Sequence, residues 1–396
     1  MKYLTGLCLK AVPFALAAAA ATVYLPGCNN PRESNQDNAD LTHNFNKNLE
    51  YHKISFRLPV PSSRHSRTDD FIHERNFILT ENKNIVRAGY TLKSQWFKVN
   101  DTVLQIGYYY RPVSAGLFNK RYNICGVLLV NDAQKRYPNI FSLGMGGTSE
   151  ALPKLLKGLN WNLQKVPFFF KVCHPLPFLK NIRYLKNTKL KSFFFKLLIN
   201  SGLGWLCMKS FFLIISLFCF RLKKQPNITV EEIQIFDQNL DSVWENAKQY
   251  SSFIAVRNFE YLKTLYSDKR FIKLKFFDGS KIVGWSVSLC TQLDDHKQFG
   301  YMKLGSIVDC LSLKGHEGSI ISKTSEMLQK KEVDLIVSNQ SHIFWKNALK
   351  MNSFINGPSN FIFASSKVLS DKLKSDIKLK DHIYLTRGDG DGPTNL

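Results

Sequence analysis

Asp309 is an acid inside an apolar run, Ser306-Ile307-Val308-Asp309-Cys310-Leu311. A carboxylate there can serve as a general base or bond to its own sheet. Further on, Asn339-Gln340-Ser341-His342 follows the apolar stretch Asp334–Ser338. His342 can titrate near neutrality, while Asn339 or Ser341 would equally well cap the next helix. Between these two places lies the turn Lys314-Gly315-His316-Glu317-Gly318, followed from Ser319 by a helical pattern. Glycines ahead of a helix N-terminus can shape an anion nest. Lys314 and His316 add positive charge there, whereas Glu317 repels an anion. In the first half, Gly144-Met145-Gly146-Gly147 follows a short apolar strand in the same way, allowing either a tight turn or close approach of backbone to a ligand.

Other chemistries are excluded by their missing parts. The eight cysteines at 8, 28, 125, 173, 207, 219, 290 and 310 form no CxxC, and no histidine spacing completes a zinc site. Arg387-Gly388-Asp389-Gly390-Asp391-Gly392 has the look of a calcium loop but lacks its closing glutamate. It reads as a turn-rich tail that bends back over the site. No Walker loop, nucleophile elbow or HExxH is present.

The elements that would position these residues alternate between strands and helices. In the first half, Val86–Lys93 and Leu104–Val113 read as strands and Tyr122–Tyr137 as a helix. Ile140–Leu143 is a short buried strand, Leu152–Leu159 a helix, and Val166–Val172 a closing strand. In the second half, Arg270–Phe277 and Lys281–Leu289 form a hairpin about Asp278-Gly279. Strand Gly305–Leu313, helix Ser319–Lys330, strand Asp334–Ser338, helix Ser341–Met351 and strand Asn360–Ser365 follow. The segment Lys154–Trp161 matches Asn347–Phe354, and each leads to a proline and an aromatic strand. This order implies a tandem duplication.

The 396 residues suit two domains plus extras. Apolar residues make up 44% and charged residues 21%, which excludes wholesale disorder. Lys and Arg number 54 against 31 Asp and Glu, a net charge of +23 that favours polyanionic partners. Residues 1–28 read as a signal or lipoprotein leader. Lys2 and Lys10 open it, an apolar run spans Ala11–Leu25, and Leu25-Pro26-Gly27-Cys28 resembles a lipobox with Cys28 as lipid carrier. Residues 29–50 read as a disordered tether. From Ala151 to Val230 there are fourteen basic residues and no acid, and Leu197–Phe220 carries one charge, Lys209. The 187–227 stretch is thus a basic, apolar helical joint, packed between domains, lying on an anionic membrane, or spanning it.

The chain resembles a bacterial family of tandem GNAT-like (acyl-CoA N-acyltransferase fold) proteins associated with polysaccharide and cell-envelope clusters, and more distantly the Fem-type aminoacyltransferases. The resemblance is carried by Leu143–Trp161, Val166–Val172, Ser306–Leu311, Asp334–Leu349, Gly357–Ala364 and Leu385–Pro393, and covers about Ile54 to Pro393. It implies a mixed α/β fold of two tandem GNAT-like domains, 51–186 and 228–388, with a tail 389–396. It further implies acyl transfer from acetyl-CoA or another acyl-CoA to an amine or hydroxyl of a sugar or envelope precursor, without a metal. Asp309, Asn339 and His342 would then be catalytic, and Lys314, Gly315, His316, Gly318 and Ser319 would hold the cofactor. Glu317 departs from the glycine-rich cofactor loop of that fold. The rival readings are a non-catalytic GNAT-like binding module, an exported envelope lipoprotein, and an aminoacyl transfer enzyme using charged tRNA. Membrane association through the leader is expected, on the cytoplasmic face if the chain is catalytic.

Overall fold

The computed structural model describes residues 28–60, 68–69, 72–183, 226–374 and 382–390, with 210 and 214. The leader before Cys28, most of the basic joint and residues 391–396 lie outside them. Among the described residues no helix is long and apolar enough to cross a membrane.

Sixteen strands are described. The first half contributes β1 (Arg32–Glu33), β2 (Thr68–Asp69), β3 (Ile72–Glu81), β4 (Ile85–Val99), β5 (Thr102–Ser114), β6 (Ile140–Gly144), β7 (Asn162–Lys165) and β8 (Phe168–Val172). The second contributes β9 (Thr229–Ile233), β10 (Phe253–Ala255), β11 (Ile272–Asp278), β12 (Lys281–His296), β13 (Gly300–Ser312), β14 (Leu335–Asn339), β15 (Ile355–Gly357) and β16 (Ile362–Ser365). One sheet runs β1-β3-β4-β5-β6-β16-β7, with β2 on β3 and β10 on β4; the other runs β15-β8-β14-β13-β12-β11-β9. In each, three antiparallel strands are followed by one parallel neighbour, β5 beside β6 and β13 beside β14. The repeat read from the sequence is therefore present, and the fold is mixed α/β with the GNAT-like strand order in both halves.

The two halves exchange strands. β8 comes from the first half but pairs β14 of the second sheet, with Asn339 opposite Phe168. β16 comes from the second half but pairs β6, with Ile362 opposite Gly144. The reason is local. β7 and β8 are parted by Val166-Pro167, and β15 and β16 by a stretch containing Pro358. Proline cannot donate to a ladder, so the pairing stops and the chain crosses to the other sheet. The crossings are tied by Val166 N–H donating to the Phe361 carbonyl at 2.9 Å. The sheets consequently do not coincide with 51–186 and 228–388.

One further expectation is corrected. Ala39–Tyr51 is a helix, not part of a disordered tether, and β1 pairs β3 ahead of it. Its Thr42, Phe45 and Leu49 fall on one helical face and are buried against the first-half core. Of the tail, Asp389 and Gly390 are described, and Asp389 is 2% exposed, in keeping with a chain bent back over the site.

Candidate functional site

β13 and β14 pair from Leu304↔Leu335 to Ile307↔Ser338, and then part while β13 continues to Ser312. A fork of this kind, at the carboxyl ends of the strands, is where an open α/β sheet admits a ligand. Here the chain's own segment 382–390 fills it. Ser252 N–H donates to the His382 carbonyl, Tyr384 N–H to that of Phe253, and Ser341 N–H to that of Leu385. The Tyr384 hydroxyl donates to the carbonyl of Cys310, and Gln340 bridges Thr386. The segment thus sutures β10, and through it the first sheet, to the end of β14.

Its anchor is a buried charge cluster. Arg257 donates Nε to Asp309 at 2.9 Å, Nη2 to both oxygens of Asp389 at 2.8 and 2.9 Å, and Nη1 to the Ala255 carbonyl at 2.9 Å. The guanidinium also lies 4.9 Å over the Tyr384 ring. Asp309 further accepts from the Tyr266 hydroxyl at 2.7 Å, the Cys310 N–H at 3.0 Å and the Thr386 hydroxyl at 3.2 Å. Burial pushes the Asp389 carboxyl up, Arg257 pulls it back and the Asp309 charge pushes it up again. Gly388 belongs to the anchor, since a Cβ there would lie 2.2 Å from the Tyr266 hydroxyl. Asp309, expected to be a general base, is fully buried with both oxygens occupied; it holds the tail in place.

The other expected site residues are also committed. His342 is buried and faces the Tyr250 carbonyl at 2.9 Å through Nε2. Its Nδ1 caps the helix Ile343–Met351 by accepting the Phe344 N–H at 3.4 Å. One ring nitrogen accepts and the other must donate, which defines a neutral tautomer. Asn339 donates to the Pro167 carbonyl and accepts from Arg387 Nε at 2.9 Å. Arg387 has no carboxylate partner among the described residues, and burial lowers it to about 10. The residues missed by sequence reasoning are Arg257, Tyr266 and Tyr384; Arg387 and Asp389 were read only as part of a turn-rich tail bent over the site. Leu385–Pro393 had been noted as a motif, but nothing in the sequence linked it to Arg257.

In the turn expected to hold the cofactor, Gly315 takes a left-handed conformation, φ +96°. Its N–H donates 2.9 Å to the Glu317 carboxylate. That donor is thus already matched to an anion from the same turn. Burial pushes the Glu317 carboxyl up, and the Gly315 N–H bond opposes the rise. Lys314 lies over the rings of Tyr250 and Phe344, at 5.1 and 5.6 Å. His316 faces Asp278 at 3.4 Å. The Ser319 hydroxyl donates to the Pro226 carbonyl at 2.8 Å, and the Gly318 carbonyl accepts from Asn352 at 2.9 Å.

The first half has the equivalent fork. β5 and β6 pair at Gly107↔Ile140 and Tyr108↔Phe141, after which they part. The Tyr108 hydroxyl spans the gap to the Leu143 carbonyl at 3.1 Å. Arg111 makes a bulge on β5 at φ +50°. The stretch 115–124 then leads to the helix Cys125–Arg136, carrying Lys120 and Arg121 and no acid. Residues 144–147 all have positive φ, from 61° to 123°, so the backbone turns sharply at the end of β6. Cys28 forms a bridge to Glu81 at the edge of this half, and burial pushes its thiol up.

No family model and no curated protein matches the chain. Similar solved structures include a probable N-acyltransferase of Enterococcus faecalis, at 8% identity over 87% of this chain and 74% of that one, TM-score 0.49. A GCN5-related N-acetyltransferase from Anabaena variabilis shares 10% identity over 87% and 74%, TM-score 0.49. Saccharomyces cerevisiae N-myristoyltransferase with bound myristoyl-CoA shares 10% over 86% and 83%, TM-score 0.44. The fold assignment rests on this chain's own strand order, and these likenesses add no substrate.

Proposed function

We propose that the chain is an acyltransferase whose first half takes an acyl-CoA in the fork between β5 and β6, and whose second half is a closed scaffold beside it. The observation that carries this reading is the unequal filling of the two forks. The second is filled by a nine-residue segment held at a buried charge cluster. In the first, Tyr108 reaches the Leu143 carbonyl and packs with Phe363, Ile383 and Leu385, with no buried ion pair there among the described residues. The helix after the first fork offers its N-terminus to a pyrophosphate, with Lys120 adding charge beside it and Arg121 paired with Glu81. In the reaction an amine or hydroxyl attacks the thioester carbonyl, the C–S bond breaks, and the proton lost by the attacking atom ends on the departing thiolate. The engagement of Asp309 by Arg257 and Tyr266, and of His342 as a helix cap, supports looking for the receiving base elsewhere. The acceptor is an amine or hydroxyl, with a sugar or envelope precursor as the first class to try.

Hydrogen exchange with and without acetyl-CoA tests the assignment. Protection is expected at amides of 109–114 and 125–127. Protection at 310–319 instead would move the donor to the second half. An absence of binding across acyl-chain lengths would favour the non-catalytic binding module.

A further inference from the structure

We infer that the edge of the first half around Tyr51, Phe56 and Leu117 docks onto an anionic lipid bilayer. Tyr51 is 81% exposed, Phe56 64% and Leu117 49%, although each is a large apolar side chain. Tyr51 and Leu117 are brought together through tertiary contact, and Phe56 follows Tyr51 five positions along the chain. The rings of His52 and Phe118 stack at 4.3 Å, which brings the end of the helix Ala39–Tyr51 against the stretch 115–124. Ile85, 42% exposed, extends the patch at the tip of the β3–β4 hairpin, because Glu81 pairs with Ile85 and also takes an ion pair from Arg121. An exposed apolar cluster of this kind marks a contact surface on an otherwise polar exterior.

The occupant is indicated by charge and by chain continuity. Lys53 and Lys120 stand beside the patch and are exposed, while the half-exposed Arg57 is 3.8 Å from the exposed Glu50. Apolar side chains ringed by cations suit a bilayer with anionic headgroups, the aromatic rings lying at the interface and the cations among phosphates. Cys28 enters the described fold on the same edge, bridging Glu81. The apolar run Ala11–Leu25 immediately precedes it in sequence. The patch and the point where Cys28 enters the described fold thus share one edge, and the apolar run is tied to that edge by chain continuity. This inference does not depend on the assignment of the donor fork.

The test uses the full chain and vesicles of phosphatidylcholine, with or without 30% phosphatidylglycerol. The chain carries six tryptophans, so the local reporter is the difference in emission between Leu117→Trp and the wild type. With anionic vesicles this difference emission should shift to the blue and be quenched by lipids brominated along the acyl chain. Tyr51→Ser/Phe56→Ser/Leu117→Ser should weaken vesicle binding at least about tenfold, since three apolar side chains no longer leave water. All three sites are exposed, so an unchanged far-ultraviolet circular dichroism spectrum is expected. An unshifted, unquenched Leu117→Trp on vesicle-bound protein would overturn the proposal by assigning binding to another segment. Unchanged binding of the triple variant would do the same. Self-association abolished by the triple variant, without vesicle binding, would make the patch an interface between copies instead.

Discussion

Replacing Arg257 with Met measures how much of the fold depends on the cluster that seats the tail. Arg257 is 1% exposed and is the described cation bonded to Asp309 and Asp389, themselves 0% and 2% exposed. Met keeps much of the side-chain volume and removes every donor. Two carboxylates then remain in a dry site without their counter-charge. Removing one partner of a buried ion pair costs about 3–5 kcal/mol, most of it from the stranded charge. With a melting entropy of about 2.1 cal/mol/K per residue over roughly 300 described residues, that is a fall of about 5–8 °C in Tm. Calorimetry of wild type, Arg257→Met, Asp389→Asn and the double variant gives the answer as a cycle. The double variant should lose less than the two singles together, because the second change removes one of the stranded charges. A fall below about 1.5 °C in Arg257→Met, or strict additivity, would refute the claim that this arginine compensates two buried carboxylates.

Asp389→Asn should also change the pH profile. The folded-state carboxyl is raised by burial, so the folded chain binds more protons than the unfolded one between the ordinary carboxylate value and the raised one. This site's contribution is greatest below the ordinary value and falls as pH rises through the raised value. Tm measured across that window should be flatter in the variant than in the wild type. Glu317→Gly frees the Gly315 N–H, yet calorimetry should find acetyl-CoA affinity changed by less than about twofold, or ~0.4 kcal/mol. Markedly tighter binding would return the donor to the second half. Leu49→Ala should cost about 2–5 kcal/mol in denaturant unfolding, since Leu49 is fully buried in the first-half core. A neutral result would restore Asn29–Glu50 as a tether.

Local chemistry was readable from the chain itself. Alternating β-branched and aromatic residues marked β4, β5, β6, β13 and β14, and the Asp278-Gly279 turn marked the β11–β12 hairpin. The paired prolines and aromatic strands marked the duplication, because each half needs the same strand, helix and strand in order. Helix Ala39–Tyr51 was concealed by its Asn and Asp content, although Thr42, Phe45 and Leu49 carry helical spacing. Which sheet each closing strand joins was not legible. A short aromatic strand offers the same backbone donors to either sheet, and the choice is made by the chain crossing at Pro167 and Pro358. The role of Asp309 was equally hidden. A carboxylate in an apolar strand is a base if water reaches it and an anchor if an arginine does. Arg257 lies 52 positions away in sequence, and Asp389, 132 positions beyond that arginine, completes the same cluster. Packing alone brings those three side chains together, and with them closes the second fork.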